Sequence, residues 1–161
     1  MPAYAFRLPA GTPGELSRAD DCTVQPEILD TANPPLRFGE PVRIAAGRAA
    51  ILNGSSVAGD IYGFLARSYP TQSATNTFGP AAPVPGQPGN VMRRGYMLVQ
   101  LRAGTAAKRG AVFIRIANAT GGQPIGGVEA AADGANTIQA PNCEFMGPAD
   151  ATGVTEIAFN I

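Results

Sequence analysis

Beyond its hydroxyl side chains, this 161-residue chain carries twelve carboxylates, two cysteines and one lysine, Lys108, as candidate acids, bases or nucleophiles, and there is no histidine. Histidine is the one side chain whose ordinary pKa lies near neutrality, so its absence removes the commonest general acid–base group. It also closes the Ser-His-Asp and Cys-His routes and the usual zinc sites. Asp20-Asp21 beside Glu15 is the densest acidic cluster. A calcium loop needs several oxygen ligands at loop spacing and usually a tight glycine, so a solvated or capping pair near Ser17 is the simpler reading. A Ser–Lys nucleophile would have to use Lys108, which sits in a glycine-flanked turn. Paired carboxylates could hydrolyse a glycoside only if two of them met in space.

Gly121-Gly122-Gln123-Pro124-Ile125-Gly126-Gly127 lacks the Lys-Ser/Thr of a phosphate-binding loop, so these are turn glycines. Asn53-Gly54-Ser55 and Asn118-Ala119-Thr120 fit the glycosylation sequon but read as turns. Cys22 and Cys143 form no CxxC pair. They read as reduced, partly buried thiols, with a disulfide between the N-terminal region and the C-terminal strands as the lesser alternative. No enzyme, no cofactor and no metal is expected.

Charge bounds the partners. The formal net charge is zero, with eleven arginines and Lys108 against six Asp and six Glu. The longest basic run is Arg93-Arg94, so no electrostatic footprint for nucleic acid exists. The preference for Arg has two readings. It follows from a GC-rich genome, or from interfaces, where Arg is enriched and Lys depleted. Arginines side by side on a strand face opposite ways, so one of Arg93 and Arg94 is free for a partner's carboxylate or for a salt bridge within the chain. No apolar run approaches the ~18 residues of a bilayer span, so no membrane partner is expected. Met1-Pro2-Ala3-Tyr4 lacks the basic and apolar regions of a signal peptide, so synthesis in a cytoplasm is expected.

The elements that position these residues read as strands and long loops. Residues 1–40 carry six prolines, yet also Tyr4, Phe6, Leu8, Val24, Ile28, Leu29, Leu36 and Phe38. Proline excludes long helices, and this much apolar surface is unlike a solvated tail. The segment is expected to be an extended arm lying along its own body or along a neighbour. Residues 41–161 are expected to form one β domain. Its strands are expected at Pro41–Ala45, Ile61–Arg67, Val91–Arg102, Ala111–Asn118 and Val154–Ile161. Weaker candidates are Ile125–Glu129, Asn136–Ala140 and Glu144–Met146. Asn53-Gly54 signals a tight turn. The glycine at Gly63 suggests a bulge or a close backbone approach. Residues 68–90 form a long loop with five prolines, Pro70, Pro80, Pro83, Pro85 and Pro88. Its Phe78 either anchors in a partner's pocket or folds back on the core. The best helix candidate, Val128–Ala132, is too short to matter. Short strands at this spacing with glycine turns predict an antiparallel β-sandwich or barrel.

Several stretches together carry a resemblance. They are MPAYAFRLPAGTPGELSRAD, PEILDTANPPLRFGEPV, IYGFLARSYPTQSATNTFG, VMRRGYMLVQL, GTAAKRGAVFIRI, GGVEAAADGANT and FMGPADATGVTEIAFNI. Over nearly the whole chain the sequence resembles the structural cement, or capsid decoration, proteins of tailed bacteriophages. The resemblance implies an all-β fold, a small antiparallel β-barrel or jelly-roll-like sandwich. It implies binding to the outside of a phage head, made in the bacterial host cytoplasm, where neighbouring major capsid protein subunits are clamped together. Partners would be the major capsid protein and copies of the chain itself, as homodimer or homotrimer. No catalytic residues carry over. On that reading the expected contacts are Tyr4, Phe6, Arg7, Leu8, Phe38, Tyr69 and Phe78, with Arg93 or Arg94 as the charged partner.

Two other classes compete. A glycan- or receptor-binding module of a virion would need exposed aromatic platforms, and there is no Trp and only four Tyr. An enzyme built on paired carboxylates would need a cleft holding two acids with shifted pKa values.

Overall fold

The computed structural model describes residues 11–67 and 82–161. Among these residues the chain is all β, with nine strands and three single 3₁₀ turns. The strands are β1 (Thr23–Ile28), β2 (Pro41–Ala45), β3 (Arg48–Ile51), β4 (Gly63–Ala66), β5 (Pro88–Ala103), β6 (Ala111–Arg115), β7 (Val128–Glu129), β8 (Thr137–Phe145) and β9 (Val154–Phe159).

Strand β5 organises the molecule. Its first half lies between β1 and β4, and β4 continues through β2 to β3. From Gly95 onward it pairs with β9, and near its end it pairs with β7. The order β5, β7, β6, β8, β9 returns to β5 and closes a barrel. The β5–β7 pairing is parallel, an exception in an otherwise antiparallel set of strand pairs. Gly95 marks the crossing between the two sheets. Its φ is +135°, and a Cβ there would lie 2.4 Å from Cys22 Sγ. Only glycine accepts that backbone and that contact.

Alternation explains the barrel core. Val112, Ile114 and Ile116 share one face and are buried, as their period-2 spacing predicts. Met97 and Val99 point into the same cluster, with Phe145, Ile157 and Phe159. Phe64 of β4 meets Phe159 edge-on with ring centroids 5.2 Å apart, which ties the second sheet to the barrel. Such a pair adds roughly 0.5–1.5 kcal/mol beyond its buried area. A second, smaller cluster of Leu29, Val42, Ala49, Leu65 and Val91 fills the other face of β4, with Phe38 and Tyr62 packed against it.

Residues 11–40 lie along the chain's own body. Gly14 N–H donates to the Leu98 carbonyl, Leu98 N–H to Glu15 and Ser17 N–H to Tyr96. Beyond β1, Asp30 N–H donates to Ala49 and Ile51 N–H to Asn33, so the segment also reaches β3.

Several local expectations need correction. Residues 128–132 are not helical: Val128–Glu129 is β7, followed by a bend. The two weak strands at 136–140 and 144–146 are one strand, β8, which continues through Pro141 and Asn142. Asn142 takes φ +50°, a bulge conformation that Asn tolerates. The long loop ends at Gln87, because β5 begins at Pro88. Gly63 does sit at a close approach, since a Cβ there would lie 2.4 Å from the Met92 carbonyl oxygen.

Candidate interaction surface

The carboxylates are spent on holding the fold. The Arg115 and Glu129 side chains are buried, 2% and 1% exposed, and joined by two hydrogen bonds of 2.6 and 3.1 Å. Arg115 also reaches Asp133 at 2.9 Å. That hydrogen bond holds the Asp133 carboxyl below its usual range. Glu156 accepts from the Ser17 hydroxyl at 2.6 Å and from Arg18 at 3.1 and 3.3 Å. Asp30 accepts from the backbone of Ala32 and Asn33, and Asp60 from that of Val57. Glu40 is buried against Arg37, with Oε1 bonded at 3.0 Å and Oε2 without a partner. Burial pushes its pKa up, and Arg37 and Arg102 only partly offset this.

Asp20 and Asp21 form an exposed 3₁₀ turn. No group of three His, Cys, Asp or Glu among the described residues is close enough to hold a metal ion. Cys22 and Cys143 are free thiols, and burial pushes the Cys143 thiol strongly up.

Arginines are stacked on aromatic rings. The Arg18 guanidinium lies 3.9 Å from the Tyr96 ring centre, Arg67 lies 4.9 Å from Phe38, and Arg93 lies 3.4 Å from Tyr62. Each stack fixes a charged fork in one plane. Tyr62 is fixed in turn, because its hydroxyl donates to Glu27 at 2.6 Å. That bond raises its pKa above the ordinary phenol value.

Three of the expected contact residues lie among the described residues. Phe38 is half-buried beneath Arg67 and against the smaller core. Arg93 is half-buried, donating to the Tyr62 carbonyl as well as stacking on its ring. Arg94 is exposed, opposite Thr23 of β1. The adjacent arginines thus face opposite ways, with one held by the chain and one free in solvent. Tyr4, Phe6, Arg7, Leu8, Tyr69 and Phe78 lie outside the described residues.

Two open clefts indent the described surface. One, of about 370 Å³, is lined by Arg43, Ile44, Asn53, Ser55, Tyr62 and Arg93, among others. The other, of about 430 Å³, lies over β8 and β9 and includes Tyr96, Arg109, Asn142, Glu144 and Ile161. Each contains one acidic residue, Asp60 in the first and Glu144 in the second, so neither pairs two carboxylates. Apolar side chains also reach solvent. Val24 and Ile28 on β1 are 37% and 42% exposed, and Leu36, Val57 and Val84 exceed half. Sequence reasoning passed over Arg43 and Val57. The only signal for Arg43 was its place in an alternating strand, which cannot show that it shares a cleft with Arg93.

Comparison with solved structures shows the same fold in a chain of the capsid of Myoviridae phage XM1. The TM-score is 0.72 at 20% identity, covering 98% of this chain and 95% of that one. A search of curated proteins finds no match. The family model described as XM1 gp53 minor capsid protein matches residues 1–159. A match over that length includes the arm, both sheets and all nine strands, and the chain belongs to this family of phage minor capsid proteins.

Proposed function

We propose that this capsid-associated structural protein is a decoration protein: it binds the outer surface of the head and stabilises contacts between neighbouring major capsid protein subunits. The observation that carries the reading is the family match across residues 1–159. The body suits the role. A closed barrel resists deformation because it has no free sheet edges. Glu129, Glu156 and Asp60 are paired or cap turns, as befits a rigid spacer.

Contacts are assigned to Tyr4, Phe6, Arg7 and Leu8 of the leading segment and to Tyr69 and Phe78 of the long loop. Phe38, Arg93 and Arg94 complete the set. A specific interface buries roughly 1,600 Å² in total. Two chain segments gripping different subunits reach that area without a large flat face. Once one segment is bound, the second acts at a raised effective concentration. Copies of the chain on neighbouring lattice positions repeat each contact.

The test is a binding comparison on heads purified without the protein. Full-length chain is expected to restore near-stoichiometric occupancy and to raise the temperature at which heads release DNA. A chain lacking residues 1–10 is expected to dissociate on mild heating. Full retention of the truncated chain would remove the leading segment from the clamp. A copy number of only a few per head would place the protein at a vertex or tail instead.

A further inference from the structure

The cleft lined by Tyr62 holds two guanidinium groups, neither of them in an ion pair. Arg43 donates its Nε–H to the Ile51 carbonyl at 3.0 Å, and Arg93 donates to the Tyr62 carbonyl. Neither stands within ion-pair distance of any acid among the described residues. The segments outside that description, residues 1–10 and 68–81, contain no Asp or Glu. Among the described residues Asp60 is the one acid that lines the cleft, a single negative charge against two positive ones. One of its oxygens caps Val57 N–H at 2.8 Å. The lining is left with an excess of positive charge.

Both arginines are held in place. Arg93 is clamped by the Tyr62 ring, and Tyr62 by Glu27 and Gln25. Arg43 is tied to β3 through Ile51. Both are half-buried, so their hydration is incomplete before any partner arrives. Pre-positioned guanidinium forks match a carboxylate in plane and lose little freedom on binding. Ile44, 39% exposed, also lines the cleft.

We propose that this cleft receives an acidic side chain, Asp or Glu, carried on a loop of the capsid protein that the chain decorates. Arg43 and Arg93 form charge-assisted hydrogen bonds to the carboxylate, and Ile44 lies beside it. This assignment rests on the decoration reading and adds to it the site and the chemistry of the partner.

Gly59 provides a clean test. It lines the cleft, and a Cβ added there meets nothing within 4 Å. Gly59→Glu adds a carboxylate to the cleft lining, at a position with open space around its Cβ. Gly59→Gln adds the same bulk without charge. Binding of full-length chain to heads purified without the protein is measured by sedimentation, with thermal melts confirming folding. Gly59→Glu is expected to weaken binding at least tenfold, while Gly59→Gln stays within threefold of the unmodified chain. Arg43→Gln is expected to weaken binding similarly and to flatten its salt dependence.

If the unmodified chain binds and both Gly59→Glu and Arg43→Gln bind within threefold of it, the cleft assignment is wrong and the decoration reading stands. Equal losses for Gly59→Glu and Gly59→Gln would show bulk rather than charge at work, which also overturns it. If the unmodified chain does not bind heads, the decoration reading falls and takes the assignment with it.

Discussion

Glu129→Gln is expected to be among the most damaging conservative changes in the chain. Arg115 and Glu129 are each about 1% exposed and share two hydrogen bonds inside the barrel wall. Removing one partner of a buried pair leaves the other charge desolvated, at a cost of roughly 3–5 kcal/mol. Arg115 would keep Asp133 at 2.9 Å and two carbonyls, those of Ala117 and Asn118, at 3.4 Å. Those contacts place the loss near the lower figure, about 3 kcal/mol. With a urea slope of roughly 2–3 kcal/mol/M, the midpoint falls by about 1–1.5 M. Equilibrium urea unfolding followed by tyrosine fluorescence measures this directly. Replacing both residues with apolar ones, Arg115→Met with Glu129→Leu, is expected to cost less than Glu129→Gln alone, because no unpaired charge remains buried; Asp133, which also loses Arg115, is half-exposed. A Glu129→Gln midpoint within about 0.2 M of the unmodified protein would refute the reasoning, since the slope then implies a loss of only about 0.5 kcal/mol.

Two further outcomes follow from single residues. Glu40 has a folded-state pKa raised by burial, so the native state holds its proton more tightly than the unfolded chain does. Its contribution to stability therefore falls as pH rises from the ordinary carboxylate value through the raised one. Glu40→Gln is expected to flatten the stability–pH curve in that window, and urea midpoints at several pH values would show an unchanged curve if the idea is wrong. Gly95→Ala forces a side chain onto φ +135° and against Cys22, with contacts of 2.4 Å to Sγ and 2.9 Å to Cα. It is expected to cost about 2–3 kcal/mol of stability, and a thermal midpoint unchanged within a degree would contradict the close packing at this crossing.

Strands with strict alternation were legible. β2 occupies the expected residues 41–45, and Val112, Ile114 and Ile116 turn inward together. Strand β3 was not legible. It is short and alanine-rich, and its hairpin turns on Ala46-Gly47, both at positive φ. That backbone matches a type I′ turn, which Asn-Gly would have announced. The Asn-Gly that is present makes a different tight turn, in which Ser56 N–H donates to the Asn53 carbonyl and Asn53 Oδ1 accepts from Ser55 N–H. Strand β8 was split in two because Pro141 and Asn142 interrupt its pattern. The opposite facing of Arg93 and Arg94 followed from strand geometry alone. The ring beneath Arg93 and the neighbour across the cleft depend on β2 and β4 lying side by side, a fact of topology. The surplus of arginine over lysine acquires a structural use that neither sequence reading proposed: among the described arginines, three stack on aromatic rings and one is buried in an ion pair.

Strand β5 has a mechanical consequence. Sixteen residues at about 3.3 Å each make a continuous rod of about 50 Å. One half is stitched to β1 and β4, the other to β9 and β7. Tension applied to either half travels to the other through covalent backbone, with no linker to stretch first. A pull along the rod loads the rungs between Gly95 and Gln100 in shear, so they resist together rather than unzipping one by one. Force entering through either sheet would meet a tie bar here, not a pair of loosely strung beads.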